Sequence, residues 1–256
     1  MVTTTLLACA LGVAAIADPK DKAMDTLRAL AAKRGITVGT CVSTRFLTEE
    51  PYAKLAGEQF SLLEPENELK FGSVHPEQGK YDFAPVDAQW DFAQKHKMKM
   101  RGHTLVWHNQ VANWVRAGKY TPEQLNQILK DHIFTVMRRY AGKIRDWDVV
   151  NEAVADDAKM RSDLWYDKPG IGFAGQGHKY IEQAFRWAHE ADPKARLFYN
   201  DYSIEWIGPK SDAVYAMLKD MLAHKVPVHG MGMQCHMDFQ FDNDGAIKSF
   251  RENIRR

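Results

Sequence analysis

Six short apolar runs, each followed by a stretch of helical periodicity, recur along this chain and leave few folds open to it. The runs are Ile36–Val42, Phe60–Leu63, Met98–Trp107, Ile144–Val150, Ala195–Tyr199 and Val228–Gln234. Several are almost continuously apolar, as strands covered on both faces must be. The spacing predicts an opening helix over Lys20–Lys33. Further helices are predicted over Pro51–Glu58, Val86–His96, Pro122–Tyr140, His178–Ala191, Lys210–His224 and Gly245–Arg255. Thr121 before Pro122 and Glu123 is a helix start, with a side-chain N-cap and proline at the first helical position. Strands and helices in alternation build a parallel sheet, either doubly wound or closed into a (β/α)8 barrel.

The polar residues separate these two α/β folds. No GxGxxG follows the first apolar run and no GxxxxGK[ST] occurs, so the fingerprints of dinucleotide and phosphate binding are missing. Polar side chains cluster instead just past the strand ends, at Glu66-Asn67, His103, His108, Asn151-Glu152, Asn200-Asp201, Gln234 and His236. Barrel enzymes assemble their sites at that rim. The expected fold is therefore a (β/α)8 TIM barrel, incomplete, with about six of its eight βα units in this sequence. A 45% hydrophobic chain of 256 residues without repeat or linker suits one domain, taken to run from residue 18 to 256.

Residues 1–17 read as a signal peptide. Leu6–Ala17 is apolar but too short to span a bilayer, and Ala15-Ile16-Ala17 offers a small-x-small cleavage pattern before Asp18. Leu6-Leu7-Ala8-Cys9 also resembles a lipidation box, although the apolar run continues past the cysteine. The expectation is a secreted or periplasmic monomer, with no membrane association after signal removal. A net charge of +1, from 34 basic and 33 acidic side chains, gives no electrostatic reason to expect nucleic acid or an anionic membrane as partner. Two cysteines would remain, Cys41 and Cys235, both in strand-like apolar runs. That points to buried free thiols, with a bridge between them as the alternative. No CxxC or HxH suggests a metal, and no cofactor is expected.

Asp148-Val149-Val150-Asn151-Glu152 ends an apolar strand on a carboxyl. Walled by aromatics such as Trp147 and Trp107, that carboxyl would be partly desolvated. Desolvation disfavours the charged form and so favours one able to give a proton to a glycosidic oxygen. Read alone, Glu152 could equally cap the next segment.

The surrounding blocks change the balance. Glu66-Asn67-Glu68-Leu69-Lys70, His103-Thr104-Leu105-Val106-Trp107-His108, Trp147 to Ala153 (WDVVNEA), Asn200-Asp201-Tyr202 and Gly232-Met233-Gln234-Cys235-His236 follow in this order, each at a strand end. Together they resemble glycoside hydrolase family 10, the endo-β-1,4-xylanases, from about Ala23 to the C-terminus. The resemblance implies a retaining mechanism on xylan and xylo-oligosaccharides, with Glu152 as general acid/base and Asn151 beside it on a sugar 2-hydroxyl. It implies that Glu66, Asn67 and Lys70 bind xylose on the non-reducing side of the cleavage point. His103, Trp107 and Gln110 would form the floor and wall where the bond breaks, and Tyr202 would support sugars beyond it. Gln234 and His236 would orient the nucleophile and neighbouring hydroxyls. Taken singly, Lys70 could be a solvated cation, Trp107 plain core and His236 a buried imidazole.

A retaining glycosidase needs two carboxyls about 5–5.5 Å apart. The family's nucleophile lies in a Thr-Glu-Leu-Asp-like motif, and no such motif occurs in this sequence. Glu205 matches a family loop rather than a nucleophile, and Asp238 is a poor substitute. The expectation is that this polypeptide, made alone, is poorly stable and nearly inactive. Two rivals stand beside that reading. One is a non-catalytic sugar-binding barrel, which would be expected to relax Glu152. The other is a phosphate-binding barrel isomerase or lyase, which would need a late Gly-rich loop.

Overall fold

The computed structural model describes residues 25–236 and 244–256. The expected signal peptide, Cys9 and Asp238 lie outside the described residues. In chain order the elements are α1 (Leu27–Lys33), β1 (Gly39–Val42), α2 (Glu50–Gln59), β2 (Leu62–Pro65), α3 (Phe71–Val74), α4 (Ala84–Lys95), β3 (Lys99–Trp107) and α5 (Asn113–Ala117). Then come α6 (Pro122–Arg139), β4 (Asp146–Asn151), α7 (Lys179–Ala191), β5 (Arg196–Asp201), α8 (Pro209–Ala223), β6 (Gly230–Met233) and α9 (Asp244–Arg255). All six expected strands are present.

The strands form one parallel sheet in the order β1-β2-β3-β4-β5-β6. Each strand lies beside its neighbour in sequence and the order never reverses. A doubly wound sheet has a reversal point, so this order is that of a barrel wall. The chain forms six βα units of an incomplete (β/α)8 barrel, with β1 and β6 as its edges among the described residues.

Local sequence accounts for the helix starts. Thr121 accepts from the Gln124 backbone while the Gln124 side chain accepts from the Thr121 backbone, a capping box with Pro122 just inside. From there Leu125, Leu129, Ile133, Val136 and Met137 form one buried stripe of α6. Of the opening helix expected over Lys20–Lys33, residues 20–24 lie outside the described residues, and α1 covers Leu27–Lys33, capped by Thr26 accepting from Ala29 N–H. Ile36, expected at the start of the first strand, is 60% exposed and precedes the first ladder pair at Gly39. The short helices α3 and α5 were not foreseen, since a single turn is too brief to show a periodicity.

The strands differ from the expectation in one respect that matters for function. Most of their apolar residues face the helices: Leu63, Met100, Trp147, Val149, Leu197 and Tyr199 are all buried. The alternate positions Glu64, Arg101, His103, Asp148, Phe198 and Asn200 face the inside of the curved sheet. One face is thus core and the other mostly polar. The outer face packs closely. At Gly102 a Cβ would come within 2.1 Å of the Trp147 ring, so only glycine lets that indole lie against β3.

Candidate active site

The inward side chains line an open cleft of about 730 Å³ at the C-terminal rim of the sheet. Glu152 stands one residue past β4 and is its centre. Its Oε2 accepts from Trp107 Nε1 at 2.7 Å, and its Oε1 accepts from Gln234 Nε2 at 2.9 Å. The carboxylate is thereby clamped by donors from β3 and from just past β6. Its backbone is left-handed, with φ 59°, a conformation that costs a non-glycine residue about 1–2 kcal/mol. Such strain persists where surrounding bonds overdetermine it. Here Glu152 N–H donates to Asn200 O at 2.8 Å, and Arg161 Nε donates to Glu152 O at 2.8 Å.

Neighbouring amides are oriented by their protein partners. Asn151 Oδ1 accepts from Asn200 Nδ2 at 2.7 Å and from Gln234 Nε2 at 3.3 Å, which leaves its Nδ2 to donate elsewhere. Asn67 Oδ1 accepts from Lys70 Nζ at 3.1 Å and from Gln110 Nε2 at 3.2 Å, with the same result. Lys70 Nζ lies 5.1 Å from the centre of the Trp107 ring. Burial lowers the pKa of Lys70, while Cys41 and Glu66 pull it back up. Lys70 is therefore a half-buried cleft cation, not a freely solvated one. His236 is exposed, with Nε2 2.9 Å from Gln234 Oε1, so it is not a buried imidazole.

An ionic network forms the cleft floor. Arg101 forks onto both oxygens of Asp148, and His103 Nδ1 lies 3.1 Å from Asp148 Oδ2. Arg101 Nε is 3.7 Å from Glu64 Oε2. Burial alone would raise the pKa of Asp148, but the His103 hydrogen bond and the Arg101 charge outweigh it and hold it below the usual aspartate range. For Glu64 burial outweighs the His103 and Arg101 charges and pushes its pKa up. Glu64, Arg101 and Asp148 were not singled out from the sequence. The signal that could have found them is polar residues two apart within otherwise apolar strands, which marks a sheet face turned to a cavity.

Of the expected site residues, Lys70, His103, Trp107, Asn151, Glu152, Gln234 and His236 line the cleft itself. Asn67 and Gln110 join it through Lys70. Glu66 is exposed at the end of β2. Tyr202 stands apart from the lining: its hydroxyl accepts from Arg161 Nη2 at 3.1 Å, and Lys210 Nζ sits 3.3 Å over its ring. One face of that ring is therefore taken. Trp147, expected as a wall, is buried on the helix side of the sheet and donates to Ile144 O. Glu205 is buried, and it accepts from Cys235 N–H at 2.7 Å, bracketing the turn that presents Gln234 and His236.

Cys41 and Cys235 are free thiols, but both are exposed rather than buried. Cys41 lies on an edge strand with its side chain toward the open cleft, and Cys235 lies on a turn past β6. For metals, the described residues bring one set of ligand atoms together, those of His178, Glu182 and Asp220. These sit on the outer helices and already pair among themselves and with Lys179, which is 2.8 Å from Glu182. No described helix is long and apolar enough to cross a membrane.

The family model of glycosyl hydrolase family 10 matches residues 26–256. Endo-1,4-beta-xylanase B of Thermotoga neapolitana is 41% identical over 233 residues, a match covering 90% of this chain and 64% of that protein. Beta-1,4-xylanase of Dictyoglomus thermophilum is 43% identical over 223 residues, 84% of this chain and 60% of that protein. This chain thus spans less than two thirds of the length of either relative. In the crystal structure of xylanase 10B from Thermotoga petrophila RKU-1 in complex with xylobiose, a chain 43% identical superposes with a TM-score of 0.84. That match covers 90% of this chain and 68% of the other. Native xylanase 10B from Thermotoga maritima gives a TM-score of 0.83 at 43% identity, covering 90% and 69%.

Proposed function

The chain belongs to glycosyl hydrolase family 10, and from that premise we propose that it binds β-1,4-xylan and supplies the proton-transfer half of its hydrolysis. The observation that carries this is the Trp107–Glu152–Gln234 clamp at the centre of the cleft. Glu152 protonates the leaving glycosidic oxygen and, in the second step, takes a proton from the attacking water. Trp107 and Gln234 both donate to its carboxylate, so two fixed groups hold it in place through both steps. Asn151 and Asn67, their carbonyl oxygens engaged by protein donors, turn Nδ2 toward sugar hydroxyls. Trp107 offers a stacking face to a pyranose. The xylobiose complex of the Thermotoga petrophila relative supports xylo-oligosaccharides as the ligand class.

The attacking carboxylate is the other half of a retaining site. Asp148 is tied to Arg101 and His103, and Glu64 lies on the floor beside Arg101, so neither is a free nucleophile. We propose that this 256-residue polypeptide binds xylo-oligosaccharides without sustained turnover. The polymeric substrate and the Leu6–Ala17 run together favour action outside the cytoplasm.

The test uses the purified chain. Tryptophan fluorescence should report saturable xylotriose binding, while reducing ends should not accumulate on xylan. A folded protein that ignores xylotriose would overturn the ligand class. Steady release of reducing ends would overturn the claim that the attacking group lies elsewhere.

A further inference from the structure

The loop after Glu152 folds back on itself. Val154 and Met160 form an antiparallel bridge, and Arg161 N–H donates to Ala153 O at 2.8 Å. This hairpin returns the Arg161 guanidinium to the backbone of the acid/base turn. There Nε donates to Glu152 O at 2.8 Å, and Nη2 donates to Val154 O at 3.3 Å and to the Tyr202 hydroxyl at 3.1 Å. On the other side of the turn, the N–H groups of Ala153 and Val154 donate to the Tyr199 hydroxyl at 3.0 and 3.2 Å. Tyr199 in turn donates to Asp201, whose carboxylate is paired with the buried Lys210 at 3.0 Å.

We propose that Arg161 is the positioning residue of Glu152, its forked donors fixing the left-handed turn that aims the carboxylate at Trp107 and Gln234. The proposal rests on Glu152 as the proton donor for its functional meaning, but its geometry can be tested without substrate. Three features support it. The guanidinium reaches the carbonyl of the strained residue itself. Its second nitrogen is tied to Tyr202, so it cannot swing away freely. Its rigid planar fork addresses several acceptors at once, which a lysine ammonium does not reproduce. Tyr202 accordingly acts through Arg161 as part of the support of the turn.

The Trp107 indole proton, bonded to Glu152 Oε2, is the reporter. In the full chain, exchange of that proton is followed by NMR for Arg161→Gln, Arg161→Lys and Tyr202→Phe, with the Trp147 indole as internal control. Arg161→Gln should accelerate exchange at Trp107 about tenfold, the equivalent of roughly one net hydrogen bond. Arg161→Lys should restore part of the protection, Tyr202→Phe should give a smaller acceleration, and Trp147 should not change. A folded Arg161→Gln protein with parental exchange at Trp107 overturns the proposal. If Arg161→Gln does not fold, Tyr202→Phe decides, and parental exchange there overturns it equally. Equal acceleration at Trp107 and Trp147 would mean general loosening, and would also overturn it.

Discussion

Trp107 Nε1 lies 2.7 Å from Glu152 Oε2, joining residues 45 apart in sequence across the β3–β4 ladder. The indole has one donor and no acceptor, so it can only give a hydrogen bond to this carboxylate. Trp107 is thus a fixed donor to Glu152, and in the proposed function its ring face is also a stacking surface.

Those two roles separate by substitution. Trp107→Phe keeps an aromatic face and loses the donor, whereas Trp107→Ala loses both. Xylotriose affinity should fall about tenfold in Trp107→Ala, or ~1.4 kcal/mol, and clearly less in Trp107→Phe. Titration by calorimetry checks this, and equal losses would remove stacking from the account.

Proton donation by Glu152 predicts a leaving-group dependence. In a polypeptide that also carries the attacking carboxylate, Glu152→Ala should slow xylan hydrolysis by about 10²–10⁴-fold. Aryl glycosides with activated leaving groups need little protonation and should suffer far less in the glycosylation step. Comparing burst rates on the two substrates tests this; an equal loss on both argues against the acid role.

His75 and His132 should make the fold acid-sensitive. Both are buried, stacked around Phe71 and Tyr81, and no ring nitrogen of either meets a protein partner. Burial lowers the His75 pKa to about 4 and holds His132 well below its ordinary value. Between the unfolded value near 6.5 and the folded one, the unfolded chain binds more protons, so stability falls as pH drops through that window. His75 alone should cost roughly 3 kcal/mol between pH 6.5 and 4. The urea midpoint should decline accordingly, and His75→Phe should flatten the decline while leaving stability at pH 7 nearly unchanged. An unaltered slope in that variant would count against the assignment.

The Arg101–Asp148 pair should be costly to break and cheap to replace. Asp148→Ala leaves the Arg101 guanidinium without its paired carboxylate, with Glu64 3.7 Å away and the Phe198 ring beside it, and should destabilise by about 3–5 kcal/mol. The double change Arg101→Met with Asp148→Leu should recover most of that loss. Urea midpoints of Arg101→Met, Asp148→Leu and the double variant form the measurement. A double variant as unstable as the sum of its singles would show that the network contributes more than its pairing.

Much of this molecule was legible from near-neighbour chemistry. The capping box at Thr121, the buried stripe of α6 and the apolar runs act within a few residues, and the expected strands and helices duly formed. The strand-end blocks likewise marked the rim, because the strand ends that carry them are visible as the close of each apolar run. What sequence could not supply were relations set by register across the sheet. Gln234 reaches Glu152 over 82 residues, and Arg101 finds Asp148 over 47. The same distance effect placed Cys41 on an open face and bound Tyr202 to Arg161. Period and capping are local properties of the chain. Which side chains meet, and which of their atoms are left facing the cleft, depends on strand pairing and curvature, and these exist only once distant segments have packed.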